Sequence, residues 1–175
     1  MRAPVVLGLM VALAGCEGGG PPSGLAGMYQ LSGHQELAAC MVPSNPLPLD
    51  PSFFRIDDVP TSHGTDLRAF GCRAEAPSSC FTRDVFLLSS AHAVEPGRYL
   101  DELVVRSLGV TGAPCTVTWY GKWVEAAPGA VSMRSEVRRG EWQGAWCTGT
   151  VGDEQLRAGR LMTCASAELL VGKKL

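Results

Sequence analysis

The sequence predicts an all-β domain: an antiparallel barrel or sandwich of about eight strands, stapled by disulfides, with a short helix as an alternative for one segment. Three observations predict it. Short runs rich in aromatic and β-branched residues recur along the chain, bounded by Pro, Gly and Ser. Cys40, Cys72, Cys80, Cys115, Cys147 and Cys164 are scattered, with no Cys-x2-Cys pair, a pattern of bridges rather than of zinc ligands. Two long alternating segments, "CTVTWYGKWVEA" and "AVSMRSEVRRGEW", flank Ala127-Pro128-Gly129 and read as a hairpin.

Taken in order, "MYQLSG" alternates as a strand, and residues 41–51, with four prolines, read as an extended loop. "SFFRIDDV", "DLRAFGCR" and "CFTRDVFLLSS" are further strands. In "PGRYLDELVVRSLGV" the apolar Leu100, Leu103, Val104 and Leu108 follow a helical stripe, although a strand fits the same residues. "AWCTGTV" and "LRAGRLMTCA" suggest a second hairpin around Gly152-Asp153. The spacing favours a local Cys72–Cys80 bridge and, more weakly, Cys147–Cys164.

Ahead of this β domain, residues 27–175, stand two other segments. Residues 1–15 combine a basic start with an apolar run of about a dozen residues, shorter than the ~18–20 a membrane-spanning helix needs. They read as a secretory signal. Residues 16–26 are Gly- and Pro-rich and read as a tether. Leu13-Ala14-Gly15-Cys16 resembles the lipobox of bacterial lipoproteins. The resemblance implies cleavage before Cys16, a diacylglyceryl thioether on its sulfur and acylation of its new amino group, with two or three chains giving a stable anchor. Setting Cys16 aside leaves six cysteines, an even number that can pair completely. Glu17, in place of the Asp that favours inner-membrane retention in enterobacterial lipoproteins, leans the assignment towards the outer membrane.

Further in, "GMYQLSGHQELAAC" followed by "FFRI", Cys72 and Cys80 resembles small secreted lipoproteins of myxobacterial type, a group without an assigned activity. Gly27-x-Tyr29 is also similar to the Gly-x-Trp that opens lipocalin barrels, which would imply a cavity for one small ligand.

The chemistry-bearing residues are sparse. Fifteen basic against seventeen acidic residues, with no basic run beyond pairs, exclude the footprint of a nucleic-acid binder. His34, His63 and His92 form no H-x-H or H-x3-H pair, so no metal site is expected. There is no Gly-x-Ser-x-Gly elbow, no Ser-x-x-Lys and no phosphate-binding loop. Ser62, His63 and Asp66 are near in sequence only. The adjacent carboxylates Asp57-Asp58 and Asp101-Glu102 face opposite ways on a strand. Trp119 and Trp123 share one strand face, as the four-residue spacing also places Trp142 and Trp146. These four rings are either core or an exposed face that stacks on a ligand. The expectation is a non-catalytic, lipid-anchored envelope protein without cofactor, facing the periplasm or exterior. It would bind a protein partner or, in a lipocalin-like alternative, a small apolar ligand; an envelope hydrolase is the remaining alternative.

Overall fold

The computed structural model describes residues 23–80, 86–107 and 113–175; the signal segment, Cys16 and most of the tether lie outside them. Among the described residues, nine strands form: β1 (Gly27–Ala38), β2 (Val42–Pro46), β3 (Phe53–Thr61), β4 (Gly64–Cys72), β5 (Phe86–Glu95), β6 (Arg98–Arg106), β7 (Cys115–Ala127), β8 (Ala130–Trp142) and β9 (Thr163–Lys174). All but β2 form a closed antiparallel barrel, because β9 returns to pair with β1 from Tyr29↔Lys174 to Glu36↔Glu168. That closure decides between barrel and sandwich. β2 occupies part of the expected proline-rich loop, pairing with the far half of β1, and its Pro43 and Pro46 lack the N–H that an added strand would need.

Alternation divides each strand between an inner and an outer face. Tyr29, Phe54, Leu67 and Leu88 point inward from β1, β3, β4 and β5, and Tyr99, Val124, Met133 and Leu170 meet them from β6 to β9. Tyr29 stacks on Phe54 with ring centroids 5.1 Å apart. Gly172 makes room for this pair, since a Cβ there would lie 2.2 Å from the Phe54 ring. A second apolar cluster, including Leu100, Val117, Trp119 and Trp142, lies on the outer face of β6–β8 beneath residues 144–162.

Two expectations are corrected. The segment read as a helical stripe is β6, laddered to β7 from Arg98↔Glu125 to Arg106↔Val117. Tyr99 is buried inside and Leu100 and Val104 outside, so apolar residues occur on both faces and mimic a helical period. Leu108 lies outside the described residues. In place of the second hairpin, the chain forms a 3-10 turn (Gly144–Cys147) and the short helix α1 (Asp153–Arg160) before β9. Gly152 donates its N–H to Gln155 Oε1 at 2.7 Å at the start of α1. Acidic Asp153 and Glu154 open the helix, and basic Arg157 and Arg160 close it, each suited to its end of the helix dipole.

Cys72 pairs with Cys80 as expected, but Cys147 pairs with Cys115 and Cys164 with Cys40, correcting the Cys147–Cys164 expectation. The β7–β8 register sets Cys115 opposite Trp142, within easy reach of the turn that carries Cys147. The six cysteines thus pair without Cys16.

The barrel has two unlike ends. The short β3–β4, β5–β6 and β7–β8 turns lie at the same end as both described termini. There Ser23 donates its backbone N–H (3.1 Å) and hydroxyl (2.5 Å) to Asp58, Tyr29 donates its hydroxyl to the Leu25 carbonyl (2.7 Å), and Leu25 is buried in the interior cluster. The long connections and all three disulfides belong to the opposite end.

Candidate functional site

The tryptophans are brought together on the outer wall. Trp119 and Trp123 project from β7, Trp142 from the end of β8 and Trp146 from the 3-10 turn. Trp119 and Trp142 are buried, while Trp123 and Trp146 are half-buried. The Trp119 ring lies over Gly121, where a Cβ would come within 1.8 Å of it, and against Gly159 of α1. Trp146 meets Trp142 edge to face at 5.3 Å. Arg106 holds the crossover by donating to the carbonyls of Trp146 (2.7 Å) and Gly149 (2.6 Å).

A charged network runs through this wall. The Trp119 indole donates to Glu102 at 3.0 Å, and Arg160 donates to both oxygens of the same carboxylate at 2.9 and 2.5 Å. Burial alone would raise the Glu102 carboxyl; the hydrogen bonds from Arg160 and Trp119, with the nearby charges of Arg160 and His92, outweigh it and hold the group below its ordinary range. On β8, Glu136 is 5 % exposed and lies between two guanidinium groups, Arg134 on Oε1 (2.6 Å) and Arg138 on Oε2 (2.8 Å). Arg98 sits 4.6 Å above the Trp123 ring. Sequence reasoning missed these arginines, although their signal was present: Arg134, Glu136 and Arg138 alternate on β8 and so share the outer face with Trp119 and Trp123.

The other candidates are dispersed. His34 on β1 faces the Pro48 carbonyl (2.8 Å) and Glu168 (3.2 Å). His63 lies in the β3–β4 turn and His92 on β5 opposite Leu100. Among the described residues, no three His, Cys, Asp or Glu side chains group as metal ligands. Asp66 accepts the Ser90 hydroxyl at 2.7 Å. As strand geometry requires, Asp58 reaches inward to Ser23 while Asp57 pairs outward with Arg55 at 2.8 Å.

A further feature, also missed from the sequence, is the inner wall at the disulfide-bearing end. The β5–β6 ladder stops at His92↔Leu100, whereas β6 continues on β7 to Arg106, so the wall parts there. Asp101 bridges the gap, accepting the backbone N–H (2.7 Å) and hydroxyl (2.9 Å) of Ser89. A pocket of about 250 Å³ opens beside it, lined by Ser89, Asp101, Leu103, Tyr120 and Lys122. Leu103 is 59 % and Tyr120 43 % exposed, with Val105 beyond them also open to solvent. Burial pushes the Lys122 ammonium down, against the opposing charge of Asp101 across the ladder.

No family model, curated protein or solved structure matches this chain. Among its concave surfaces are a small, largely apolar mouth at one end of the barrel and an outer cleft built of tryptophan, arginine and glutamate. The Ser, His and Asp candidates, by contrast, are distributed over several strands and turns.

Proposed function

We propose that the chain is a lipid-anchored lipoprotein of the bacterial cell envelope, acting as a non-catalytic binding module with the disulfide-bearing end of its barrel turned away from the bilayer. The lipobox-like Leu13-Ala14-Gly15-Cys16 supports the anchor, and the observation that carries the orientation is the position of Ser23. It is fixed to Asp58 at the end of the short turns, so a tether running back to Cys16 leaves from there. The long connections, the disulfides and the open inner wall are then on the far side, where a partner or ligand arrives. Glu17 favours the outer membrane.

Replacing Cys16 with Ser and following membrane fractionation and incorporation of labelled palmitate tests the anchor. The reading requires loss of label and release from the membrane fraction. A Cys16→Ser protein that is still cleaved before residue 16 and still membrane-bound overturns it.

A second reading, a lipocalin-like carrier of a small apolar ligand, is favoured by the exposed Leu103, Val105 and Tyr120 on the inner wall. Isolated apolar residues on an outer surface are ordinary; three at the open mouth of a barrel are where small ligands enter. Mass spectrometry of gently extracted protein distinguishes this reading by a co-purified apolar compound that is lost in Tyr120→Asp.

A further inference from the structure

We propose that the outer cleft between β6–β8 and α1 is an oxyanion-binding site, taking a phosphate or carboxylate attached to a ring or chain that lies against Trp123. The proposal is independent of the lipid anchor and of the inner mouth.

The cleft has a volume of about 210 Å³, enough for one such group and part of what carries it. Arg98, Arg134, Arg138 and Arg160 all line it. The chain as a whole carries a net charge of −2 and has fifteen basic residues, so four converging on one small cleft depart from its general balance.

These guanidinium groups are held in place before any ligand arrives. Arg160 is fixed by both oxygens of Glu102. Arg138 is fixed by Glu136 and by the Met162 carbonyl at 3.0 Å. Arg134 is fixed by Glu136 and the carbonyl of Cys40. Glu95 and Glu125 pair with Arg98, and Glu125 itself lines the cleft; both carboxylates are more than half exposed, so solvent screens them. The lining of the cleft thus carries four guanidinium groups against two carboxylates, Glu125 and Glu136, with Glu102 and the charge of Asp153 acting on Arg160 from behind it.

Arginine forks match the oxygens of phosphate and carboxylate, and preorganised forks lose less side-chain entropy on binding than free ones. The half-buried Trp123, already polarised by Arg98 on one side, supplies an apolar edge for the body of the ligand.

The test is calorimetric titration of the purified protein with sodium phosphate, with sodium glucuronate and with phosphatidylglycerol vesicles, while tryptophan emission is followed. At least one probe is expected to bind saturably and change the emission, with affinity falling about tenfold or more in Arg134→Gln and in Arg138→Gln. Arg55→Gln, on a different wall, should bind as the parent does. Saturation by phosphate or glucuronate assigns a soluble oxyanion; binding to the vesicles alone, abolished by the same substitutions, assigns a lipid headgroup.

Should Arg134→Gln or Arg138→Gln fail to fold, the unsubstituted protein still decides the matter. Treatment with phenylglyoxal followed by peptide mapping should show Arg134 or Arg138 protected by the bound probe and Arg55 unprotected. Absence of binding by all three probes overturns the site. So does binding that survives both substitutions in folded protein, or protection that does not distinguish these arginines from Arg55.

Discussion

The two ends of the barrel are held together by different means. At the end of the termini, closure is non-covalent and local. Leu25 is buried with the interior cluster, the Tyr29 hydroxyl reaches its carbonyl, and Ser23 is bound to Asp58. Short turns join the strands there with little chain to restrain. At the other end, the connections are long, the β5–β6 ladder is interrupted, and apolar side chains of the inner wall meet solvent. Covalent links do the work there: Cys40–Cys164, Cys72–Cys80 and Cys115–Cys147. The difference shows that this fold does not rely on uniform burial. Among the described residues, one end is closed by packing and the other is cross-linked.

Substitutions that act on one end only can break that contrast. The largest effect is expected from replacing both Cys40 and Cys164 with Ala. The bridge spans a sequence separation of 124, so restriction of the unfolded chain should contribute about 5 kcal/mol, and loss of most cooperative unfolding in a denaturant titration is the expected result. Leu25→Ala, at the sealed end, should cost about 2–4 kcal/mol, the usual loss for a buried leucine. It should lower the denaturation midpoint while leaving disulfide pairing unchanged, as peptide mapping would show.

Glu102→Gln, on the outer wall nearer the open end, should cost about 2 kcal/mol by weakening charge-assisted hydrogen bonds to a partly exposed arginine. Its pH dependence sharpens the prediction. The folded carboxyl lies below its ordinary value of 4.5, so its contribution is present above that pH and is lost as pH falls through the folded value. The stability gap between parent and Glu102→Gln should therefore close on acidification below 4.5. Smallest of all, Tyr120→Ala should change stability by less than about 1 kcal/mol, because the side chain is 43 % exposed at the mouth of the barrel. A large loss there would mean that the open end is packed like the sealed one.

Much of the fold was legible in the sequence. Aromatic and β-branched runs placed most of β1, β3, β4, β7 and β8 and part of β5, Pro128-Gly129 marked the β7–β8 turn, and the short spacing of Cys72 and Cys80 gave their bridge. By contrast β9, the strand that closes the barrel, was anticipated only at its first residues. The errors cluster in the region covered on both faces. β6 carries Tyr99 inside and Leu100 outside, so the period of two that marks a half-buried strand is erased. α1, with the sequence "DEQLRAGR", is short and mostly polar, and its stability comes from packing against β6–β8 rather than from its own pattern. Cys115 and Cys147 meet because of strand register, which no linear spacing announces. The tryptophan spacing did place Trp119 and Trp123 on one face. That the face is the outer one, beside Arg134 and Arg138, follows only from barrel closure.

The central claim is that a lipid-anchored barrel turns its disulfide-bearing end away from the membrane. It is tested most directly by energy transfer in vesicles. The lipidated protein is labelled with a donor dye at Ala127→Cys, beside the β7–β8 turn, or at Met41→Cys, beyond β1, and reconstituted with acceptor-labelled lipid. Strands of this length separate the two positions by roughly 30 Å, a separation energy transfer resolves. The account predicts strong transfer from position 127 and much weaker transfer from position 41. Equal transfer from both, stronger transfer from position 41, or no association with the vesicles would contradict it.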